Sequence, residues 1–265
     1  MFYCRCITKL IKNFRSHHEL LTVPKLLYYN NELEACADQV LVSSCLNFEG
    51  LTSEARRNKV PMIFHGVIGQ DMKEQSSPSF FNVEEVIIVR DYIKQLLDMK
   101  DNKVKPSEIG VIAPYRRQVQ KIRQILRKNN LDKDIMVGST EEFQGQERRI
   151  IIVSTVRSNP QYVNIDSQYR LGFLRNPKRF NVAITRAKAL LIVVGNPHIL
   201  SQDSDWCQLL DWSLGRGCYT GCVYSKETDE EIDRIEARFR KLMVEDGEEI
   251  SRMTQLEEPA WRTDI

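Results

Sequence analysis

The sequence has no hydrophobic run long enough to cross a membrane. A membrane helix needs about 18 apolar residues in a row, and no stretch of the 265 residues reaches that length. The start, Met1 to Ile7, has neither a long apolar core nor a small-residue cleavage site, so it does not read as a signal peptide. The two absences argue against a membrane partner and against secretion.

The seven cysteines form neither a disulfide framework nor a metal-binding pattern. Their number is odd and their spacing irregular, which favours reduced thiols in the cytosol or nucleus. Cys4 and Cys6 are one close pair and Cys218 and Cys222 another, but no second pair or histidine stands at ligand spacing. We therefore expect free cysteines and no metal site.

Charge is distributed unevenly along the chain. The net charge is +2, but residues 226–265 hold 13 acidic and 7 basic side chains, a net of −6, which leaves +8 for the preceding residues. A basic body with an acidic tail is typical of proteins whose partners carry phosphates. A solvated surface explains a charge of this size slightly better, so charge alone does not establish a phosphate-bearing partner.

From residue 60 onward, short β-rich runs alternate with helical stretches. This order predicts an α/β fold, a parallel sheet with helices on both faces. In such sheets ligands bind beyond the carboxyl ends of the strands, which draws attention to the loops after Ala113, after Gly138 and around Arg15. The predicted strands are Met62–Val67, Ile109–Ala113, Ile135–Gly138, Ile150–Val156 and Ala189–Val194.

Helical spacing of apolar residues marks the connections between these strands. Asn82 and Glu85 are typical of a capping box, in which each side chain bonds to the other's backbone N–H. The predicted domains are an N-terminal segment (1–60), the α/β domain (61–224) and a charged, mobile tail (225–265) with one helix. The predicted helices cover 86–96, 119–126, Asn176–Ala187, about His198–Leu214 and Glu230–Met243.

Three segments place an arginine, or a Gln, Gly and Glu set, beside a predicted strand end or helix. They are Lys12-Asn-Phe-Arg-Ser-His17, Val137-Gly-Ser-Thr-Glu-Glu-Phe-Gln-Gly-Gln-Glu147 and Asn181-Val-Ala-Ile-Thr-Arg-Ala-Lys188. The flat fork of arginine matches phosphate oxygens, and its charge stabilises the transition state of phosphoryl transfer. The segments resemble motifs IIIa, V and VI of superfamily-one helicases, and Ile112-Ala-Pro-Tyr-Arg116 resembles motif IV.

Longer segments resemble one group of these helicases. Ser154–Arg157, Leu171–Leu174 and Asn176–Pro197 are similar to the Moloney leukaemia virus ten RNA helicases and to their insect relative Armitage. The resemblance covers about Ile7 to Cys222. It implies that the α/β domain is RecA-like and forms the second motor lobe of an ATP-dependent RNA helicase.

The resemblance also implies roles for single residues. Arg15 and Arg186 would be catalytic, each reaching the γ-phosphate. Phe14 would stack on adenine, and Glu147 would accept a hydrogen bond from a ribose hydroxyl. Gln144 and Gly145 are the remaining nucleotide-binding candidates.

Four further residues would lie near the RNA backbone: Pro114, Tyr115, Ser139 and Thr140. Backbone contacts give affinity without reading the base sequence and make binding salt-dependent. The implied cofactor is ATP with Mg²⁺. The implied partners are single-stranded RNA, an N-terminal RecA-like lobe and RNA-silencing proteins, in the cytoplasm and its ribonucleoprotein granules.

Several of these side chains have a purely structural alternative. Arg186 is also explained as a helix-surface arginine, and Arg15 as the partner of a nearby carboxylate. Phe14 and Tyr115 are also explained as core residues. The pair His17 and His18 looks like two metal ligands, but adjacent side chains point apart, which favours surface or turn positions.

The sequence contains no G-x-x-x-x-G-K-[ST] phosphate loop and no acidic Walker B strand. We therefore expect this chain to supply the arginine face of an ATP site and, alone, to hydrolyse ATP negligibly. A start just before motif IIIa suggests a truncated product or a short isoform. Two other functions stay open: a non-catalytic lobe that binds RNA or a protein, and a DNA helicase relative.

Overall fold

The computed structural model describes residues 9–73, 79–131, 133–159 and 173–225. The chain divides into two compact units, Met1–Val223 and Tyr224–Ile265. The described residues before 60 therefore belong to the same unit as the α/β domain. The helix predicted in the tail lies outside the described residues. No helix within the described ranges has the length and apolar character to span a membrane.

A six-stranded parallel sheet forms the centre of the first unit. Its strand order is β10-β3-β9-β8-β6-β7, and every neighbouring pair is parallel. Two small separate sheets pair β1 with β2 and β4 with β5. The strands of the described residues are β1 (Lys12–Asn13), β2 (Glu34–Ala35), β3 (Met62–Gly66), β4 (Asp71–Lys73), β5 (Phe80–Asn82), β6 (Ile109–Ile112), β7 (Met136–Gly138), β8 (Arg148–Ser154), β9 (Ala187–Gly195) and β10 (Tyr219–Gly221).

Helices connect the strands and cover the sheet. Right-handed crossovers put α4 and α5 on one face and α6 and α8 on the other. In agreement, α4 packs on α5 and α8 packs on α6. The predicted α/β fold is confirmed. The helices are α1 (Thr22–Tyr28), α2 (Gln39–Val42), α3 (Ser53–Arg57), α4 (Val83–Leu97), α5 (Arg116–Lys128), α6 (Pro177–Ile184), α7 (Pro197–Leu200) and α8 (Ser204–Gly215), with 3₁₀ turns at His18–Leu21 and Pro106–Glu108.

The prediction of one helix over His198–Leu214 was wrong, because a turn separates α7 from α8. Asp203 stands at the break. Its carboxylate accepts the backbone N–H groups of Asp205 and Trp206 and so caps a new helix.

The core lies around β8 and β9, whose central residues are almost completely buried. A strand covered by helices on both faces is apolar on both sides, which explains the uninterrupted run Ile150–Val153. Because all six strands point the same way, the sheet has two distinct edges. We call the edge where the strands begin the amino edge and the edge where they end the carboxyl edge.

The segment after β1 is fastened to the amino edge. The Ser16 hydroxyl donates to the carbonyl of Ala187 at 2.7 Å, and the His17 N–H donates to the carbonyl of Lys188 at 2.9 Å. His17 is buried, but it stands at a turn, where its ring accepts the Glu19 N–H at 3.3 Å, so the expectation of surface or turn positions holds for it as a turn residue. The two histidine rings lie 4.3 Å apart, so the expectation that they point apart was wrong. Burial, reinforced by His18, lowers the pKa of His17 to about 4. These contacts of Ser16 and His17 place the adjacent Arg15 beside the start of β9.

Candidate functional site

Arg15 forms an ion pair at the amino edge. Its Nε donates to Glu147 Oε2 at 2.5 Å, and its Nη1 donates to the carbonyl of Thr185 at 3.2 Å. Lys188 Nζ lies 2.7 Å from the other carboxylate oxygen of Glu147. Arg15 is therefore the partner of a nearby carboxylate, as its structural alternative proposed. That carboxylate belongs to Glu147, which is itself a nucleotide-binding candidate.

These two cations keep Glu147 ionised. Hydrogen bonds from Arg15, and then from Lys188, lower the pKa of Glu147 to about 2. The side chain is 40% exposed, so water remains in contact with it. Each carboxylate oxygen can accept more than one hydrogen bond, which leaves Glu147 able to accept a further donor.

Arg186 lies close to Arg15 but is bound only by neutral groups. Its guanidinium donates to the carbonyls of Val182 at 3.2 Å and Gln146 at 3.4 Å, and to the Thr185 hydroxyl at 3.3 Å. Burial, and then the charge of Arg15, lower the pKa of Arg186. Among the described residues, no carboxylate forms an ion pair with it. A partly buried cation held this way is poised to attract an anion.

The position of Arg186 differs from that of a plain helix-surface arginine. The residue follows the end of α6 and precedes β9, and it is only partly exposed. Together Arg15, Arg186, Lys188 and Glu147 carry a net charge of about +2 within one small region.

A cleft of about 720 Å³ opens beside this cluster. Phe14 lines it with its side chain 72% exposed, as do Val40 and Leu41, at 81% and 67%. The alternative that Phe14 packs in the core is therefore excluded. An apolar wall next to a cationic wall suits a ligand with a flat apolar part and an anionic part, which is the composition of an adenine nucleotide.

The turn that carries Gln144 and Gly145 shapes the cluster. Both residues are exposed, and Gly145 has φ of +75°. A Cβ there would meet no atom within 4 Å, so glycine is required by the backbone conformation and not by space. The turn brings the Gln146 carbonyl to Arg186 and the Glu147 carboxylate to Arg15.

Sequence reasoning missed Lys188 and the two aliphatic residues of the cleft. Lys188 had a usable signal, because it stands two residues after Arg186 at the start of a strand, where alternate side chains share a side. Val40 and Leu41 had none. They lie on the four-residue α2, which Asp38 caps by accepting the Val40 N–H at 2.9 Å.

The four RNA candidates lie at the carboxyl edge and divide into two pairs. Pro114 and Ser139 are partly exposed and line a cavity of about 460 Å³. Tyr115 and Thr140 are buried, at 4% and 1% exposure. The side chains of this second pair therefore offer little surface to an RNA, and their place near the RNA backbone stays a prediction. The Tyr115 ring packs against Phe80, so its alternative as a core residue describes the structure.

A buried ion pair lies beneath Tyr115. Arg157 and Asp71 are 1% and 0% exposed in their side chains, and Nη1 lies 2.7 Å from Oδ2. The guanidinium also lies 3.8 Å from the centre of the Phe80 ring and 4.9 Å from that of Tyr115. Two aromatic faces and a carboxylate therefore enclose this cation.

Glu85 holds the backbone next to that pair. It is buried and accepts the Val156 N–H at 2.9 and 3.0 Å and the Ser154 hydroxyl at 2.5 Å. Val156 has φ of +76°, a strained conformation for a β-branched residue. Burial raises the pKa of Glu85 to about 8.

The contacts of Glu85 show that half of the predicted capping box was wrong. Asn82 caps α4 by accepting the Glu85 N–H at 3.1 Å, but the Glu85 side chain turns to β8, and the Asn82 N–H donates to Gln118 instead.

The loops expected to bind ligands were those after Ala113 and Gly138, which begin at the carboxyl edge, and the one around Arg15, which follows β1 of a separate small sheet. The RNA candidates follow β6 and β7, at the carboxyl edge. The nucleotide candidates stand before strands, because Glu147 precedes β8 and Arg186 precedes β9. The two candidate sites therefore occupy opposite edges of one sheet.

Comparison with known proteins identifies the family. Residues 3–198 match the AAA domain family. Mov10l1 of Homo sapiens, named an RNA helicase, is 52% identical over 82% of this chain and 17% of its own length. The protein mov-10-B.2 of Danio rerio is 46% identical over 98% of this chain and 26% of its own length. The protein armi of Drosophila melanogaster is 35% identical over 82% of this chain and 18% of its own length. The chain thus spans about a quarter or less of these relatives.

Proposed function

The chain belongs to the Mov10 and Armitage group of helicases, and from that membership we propose that it is the second, C-terminal motor lobe of an ATP-dependent RNA helicase. The observation that carries the proposal is the arginine pair of the amino edge. Arg186 is held by neutral acceptors only and lies beside Arg15. Such a pair supports binding of a polyphosphate.

Arg15 and Arg186 would neutralise the charge that develops on the transferred phosphoryl group. ATP with Mg²⁺ supplies the γ-phosphate whose transfer to water drives the motor, and the Mg²⁺ ligands are expected on the N-terminal lobe. Within the described residues, no three His, Cys, Asp or Glu side chains stand close enough together to hold a metal ion. Loss of an arginine finger reduces kcat by about 10³ to 10⁵.

Other side chains of the cleft would position the nucleotide. The exposed Phe14 ring would stack on adenine. Glu147 would accept a ribose hydroxyl and, without ligand, hold the Arg15 side chain in place at 2.5 Å. This second role reduces the freedom that Arg15 would lose on binding a phosphate.

RNA would bind at the carboxyl edge, with Pro114 and Ser139 next to its backbone. Closing of the two lobes around ATP and their reopening after hydrolysis would move the strand, in the 5′ to 3′ direction. We propose further that the protein acts in RNA silencing with other silencing proteins, in the cytoplasm and its ribonucleoprotein granules. Imaging of the tagged protein together with a granule marker tests the location.

The decisive experiment places this chain in the setting of a full-length relative. The corresponding quarter of Danio rerio mov-10-B.2 is replaced by this chain, and RNA-stimulated ATP hydrolysis is measured with Arg186→Ala and Arg15→Ala variants. We expect hydrolysis by the chimera, a loss of at least about 10³-fold in kcat for Arg186→Ala, and negligible hydrolysis by the chain alone. Duplexes with a 5′ or a 3′ single-stranded tail test the direction.

Two outcomes would replace the proposal. A chimera that binds RNA but hydrolyses no ATP would favour a non-catalytic binding lobe. A chimera that prefers single-stranded DNA to RNA of equal length, at one salt concentration, would favour a DNA helicase. Lys94→Ala is a suitable control because this exposed lysine lies on α4, outside both candidate sites.

A further inference from the structure

One arginine that lines the cleft of the amino edge stands outside the cluster of Arg15, Arg186 and Lys188. Arg149 lies near the start of β8, two residues after Glu147, and lines the cleft of about 720 Å³. Its side chain is 17% exposed and donates hydrogen bonds to four acceptors. A guanidinium has five N–H donors, so little of this one remains for a phosphate. Arg149 therefore has a role other than binding an anion.

The Nε atom of Arg149 holds the end of helix α2. It donates to the Ser44 hydroxyl at 3.0 Å, and that hydroxyl donates to the carbonyl of Leu41 at 2.7 Å. Two successive hydrogen bonds thus connect the arginine with a helix residue that lines the cleft. A helix of only four residues is not stable by itself. The position of α2 therefore depends on contacts such as these.

The Nη atoms of Arg149 hold a second segment of the cleft wall. Nη2 donates to the carbonyl of Asn102 at 3.2 Å, and Nη1 donates to the carbonyl of Lys103 at 3.2 Å and to the Glu108 carboxylate at 3.3 Å. That carboxylate also accepts the Lys105 N–H at 2.8 Å. Asn102, Lys103 and Glu108 line the same cleft as α2. One guanidinium therefore joins two segments of the wall that are distant in sequence.

The small sheet of β1 and β2 holds the beginning of α2 near Phe14. The two strands pair in register, and the Cys36 N–H donates to the carbonyl of Asn13 at 2.7 Å. Phe14 directly follows β1, and α2 begins a few residues after β2. Phe14, Val40 and Leu41 are all exposed and line the cleft. Helix α2 is thus held at its beginning by β2 and at its end by Arg149.

We propose that Arg149 is a positioning residue for the base of the bound nucleotide, because it holds Leu41 of α2 in a fixed position relative to the Phe14 ring. The base would pack on Phe14 and contact the aliphatic side chains of α2. A wall that is ordered before the ligand arrives loses less conformational freedom on binding. The inference rests on the proposed nucleotide site and adds a residue to which the helicase motifs assign no role.

The test measures the binding of ATP and of inorganic tripolyphosphate to the purified chain by calorimetry, both with Mg²⁺. Tripolyphosphate has the anionic part of ATP without the base. A variant's change in the ratio of the two affinities therefore reports on the base, whereas a residue that only stabilises the fold leaves this ratio unchanged.

Three variants separate the contacts of Arg149. Arg149→Met removes the hydrogen bonds to both wall segments, Arg149→Lys keeps the charge without the fork, and Ser44→Ala removes only the connection to α2. The matched control is Arg90→Met. Arg90 is a partly exposed arginine of α4 that is paired with Asp91 and does not line the cleft.

We expect Arg149→Met to bind ATP about tenfold more weakly, the cost of ordering one or two side chains on binding, and to bind tripolyphosphate as the wild type does. Arg149→Lys should resemble Arg149→Met, because one ammonium group does not span both segments. Ser44→Ala should bind ATP about threefold more weakly, and Arg90→Met should bind both ligands as the wild type does.

Three results would overturn the inference: equal losses for the two ligands, full ATP affinity in Arg149→Lys, or a wild-type chain that binds tripolyphosphate but not ATP. The small change Ser44→Ala decides the outcome if Arg149→Met unfolds, since an unchanged affinity ratio in Ser44→Ala would then overturn it. All of these results leave the phosphate site intact. A wild-type chain that binds neither ligand would overturn the proposed nucleotide site as well.

Discussion

The two edges of the sheet use arginine in opposite ways. At the amino edge Arg15 is partly exposed and lines an open cleft. The nearby Arg186 is also partly exposed and has no carboxylate partner among the described residues. At the carboxyl edge Arg157 is 1% exposed, paired with Asp71 and covered by the rings of Phe80 and Tyr115. Arginine thus appears at the amino edge as a partly exposed cation, paired with Glu147 in Arg15 and held by neutral acceptors in Arg186, and at the carboxyl edge as a buried cation enclosed by its partners.

The difference in burial separates arginines that can bind a ligand from arginines that stabilise the protein interior. An accessible cation costs little to leave unpaired and gains affinity when an anion arrives. A buried cation must be paired, as Arg157 is with Asp71, while the neighbouring Glu85 accepts the N–H of the strained Val156. Tyr115 and Arg157 are buried, so we expect them to support the predicted RNA surface from the protein interior.

The largest expected effect is on stability. Arg157→Met leaves the Asp71 carboxylate buried without its partner, and we expect a loss of about 3–5 kcal/mol in the free energy of unfolding. Arg15→Met removes a partly exposed pair and should cost less than about 1 kcal/mol. Urea unfolding of both variants measures the contrast. Similar losses in the two variants would mean that the edges do not differ as described.

A second effect concerns Glu85 and pH. Its pKa of about 8 in the folded state lies above the ordinary 4.5, so the folded protein binds more protons than the unfolded chain between these values. Stability should therefore be greatest below pH 4.5 for this group and fall as pH rises toward 8, by at most roughly 1.4 kcal/mol per pH unit.

The variant Glu85→Gln tests this directly. It keeps the acceptor for the Val156 N–H and cannot ionise, so unfolding experiments from pH 5 to pH 8 should show a flatter profile than for the wild type. Glu85→Ala, which leaves that N–H unpaired, should be less stable than Glu85→Gln throughout. A wild-type profile as flat as that of Glu85→Gln would show that the pKa of Glu85 is not raised in the folded protein.

A smaller effect sharpens the role of Glu147. Glu147→Gln removes the negative charge that neutralises Arg15 and Lys188, so inorganic tripolyphosphate should bind about threefold to tenfold more tightly. If Glu147 also accepts a ribose hydroxyl, adenosine should bind more weakly. Calorimetric titration of both ligands separates the two roles. Unchanged affinity for tripolyphosphate would remove the amino edge as a phosphate site.

The smallest effect is the titration of Glu147 itself. Its pKa of about 2 lies below the ordinary 4.5, so the stability it contributes is present above pH 4.5 and is lost as pH falls toward 2. Exposure limits that contribution to less than about 1 kcal/mol. A carbon-detected NMR titration should place the midpoint near 2, and Arg15→Ala should raise it. A midpoint near 4.5 in the wild type would show that the ion pair is absent in solution.

Much of the fold could be predicted because its signals are local. The alternation of apolar runs predicted the strands β3, β6, β7, β8 and β9 and the parallel sheet. The break at Asp203 was missed because apolar spacing continues on both sides of it. The capping role of Glu85 failed for a related reason, since a contact with Val156, distant in sequence, is not visible in local spacing.

The candidate residues were identified by motif, but their placement depended on tertiary structure. The motifs did not reveal that Arg15 pairs with Glu147, because 132 positions separate them. Nor did they reveal that Tyr115 and Thr140 are buried.

The nucleotide site at the amino edge is tested most directly by observing its arginines. In ¹⁵N-labelled protein, the Nε–Hε NMR signals of Arg15, Arg186 and Arg157 are followed during titration with ATP and Mg²⁺. We expect the signals of Arg15 and Arg186 to shift together with one saturation curve, while that of Arg157 stays in place. Unchanged Arg15 and Arg186 signals in a large excess of nucleotide would contradict the claim that the amino edge is a nucleotide site.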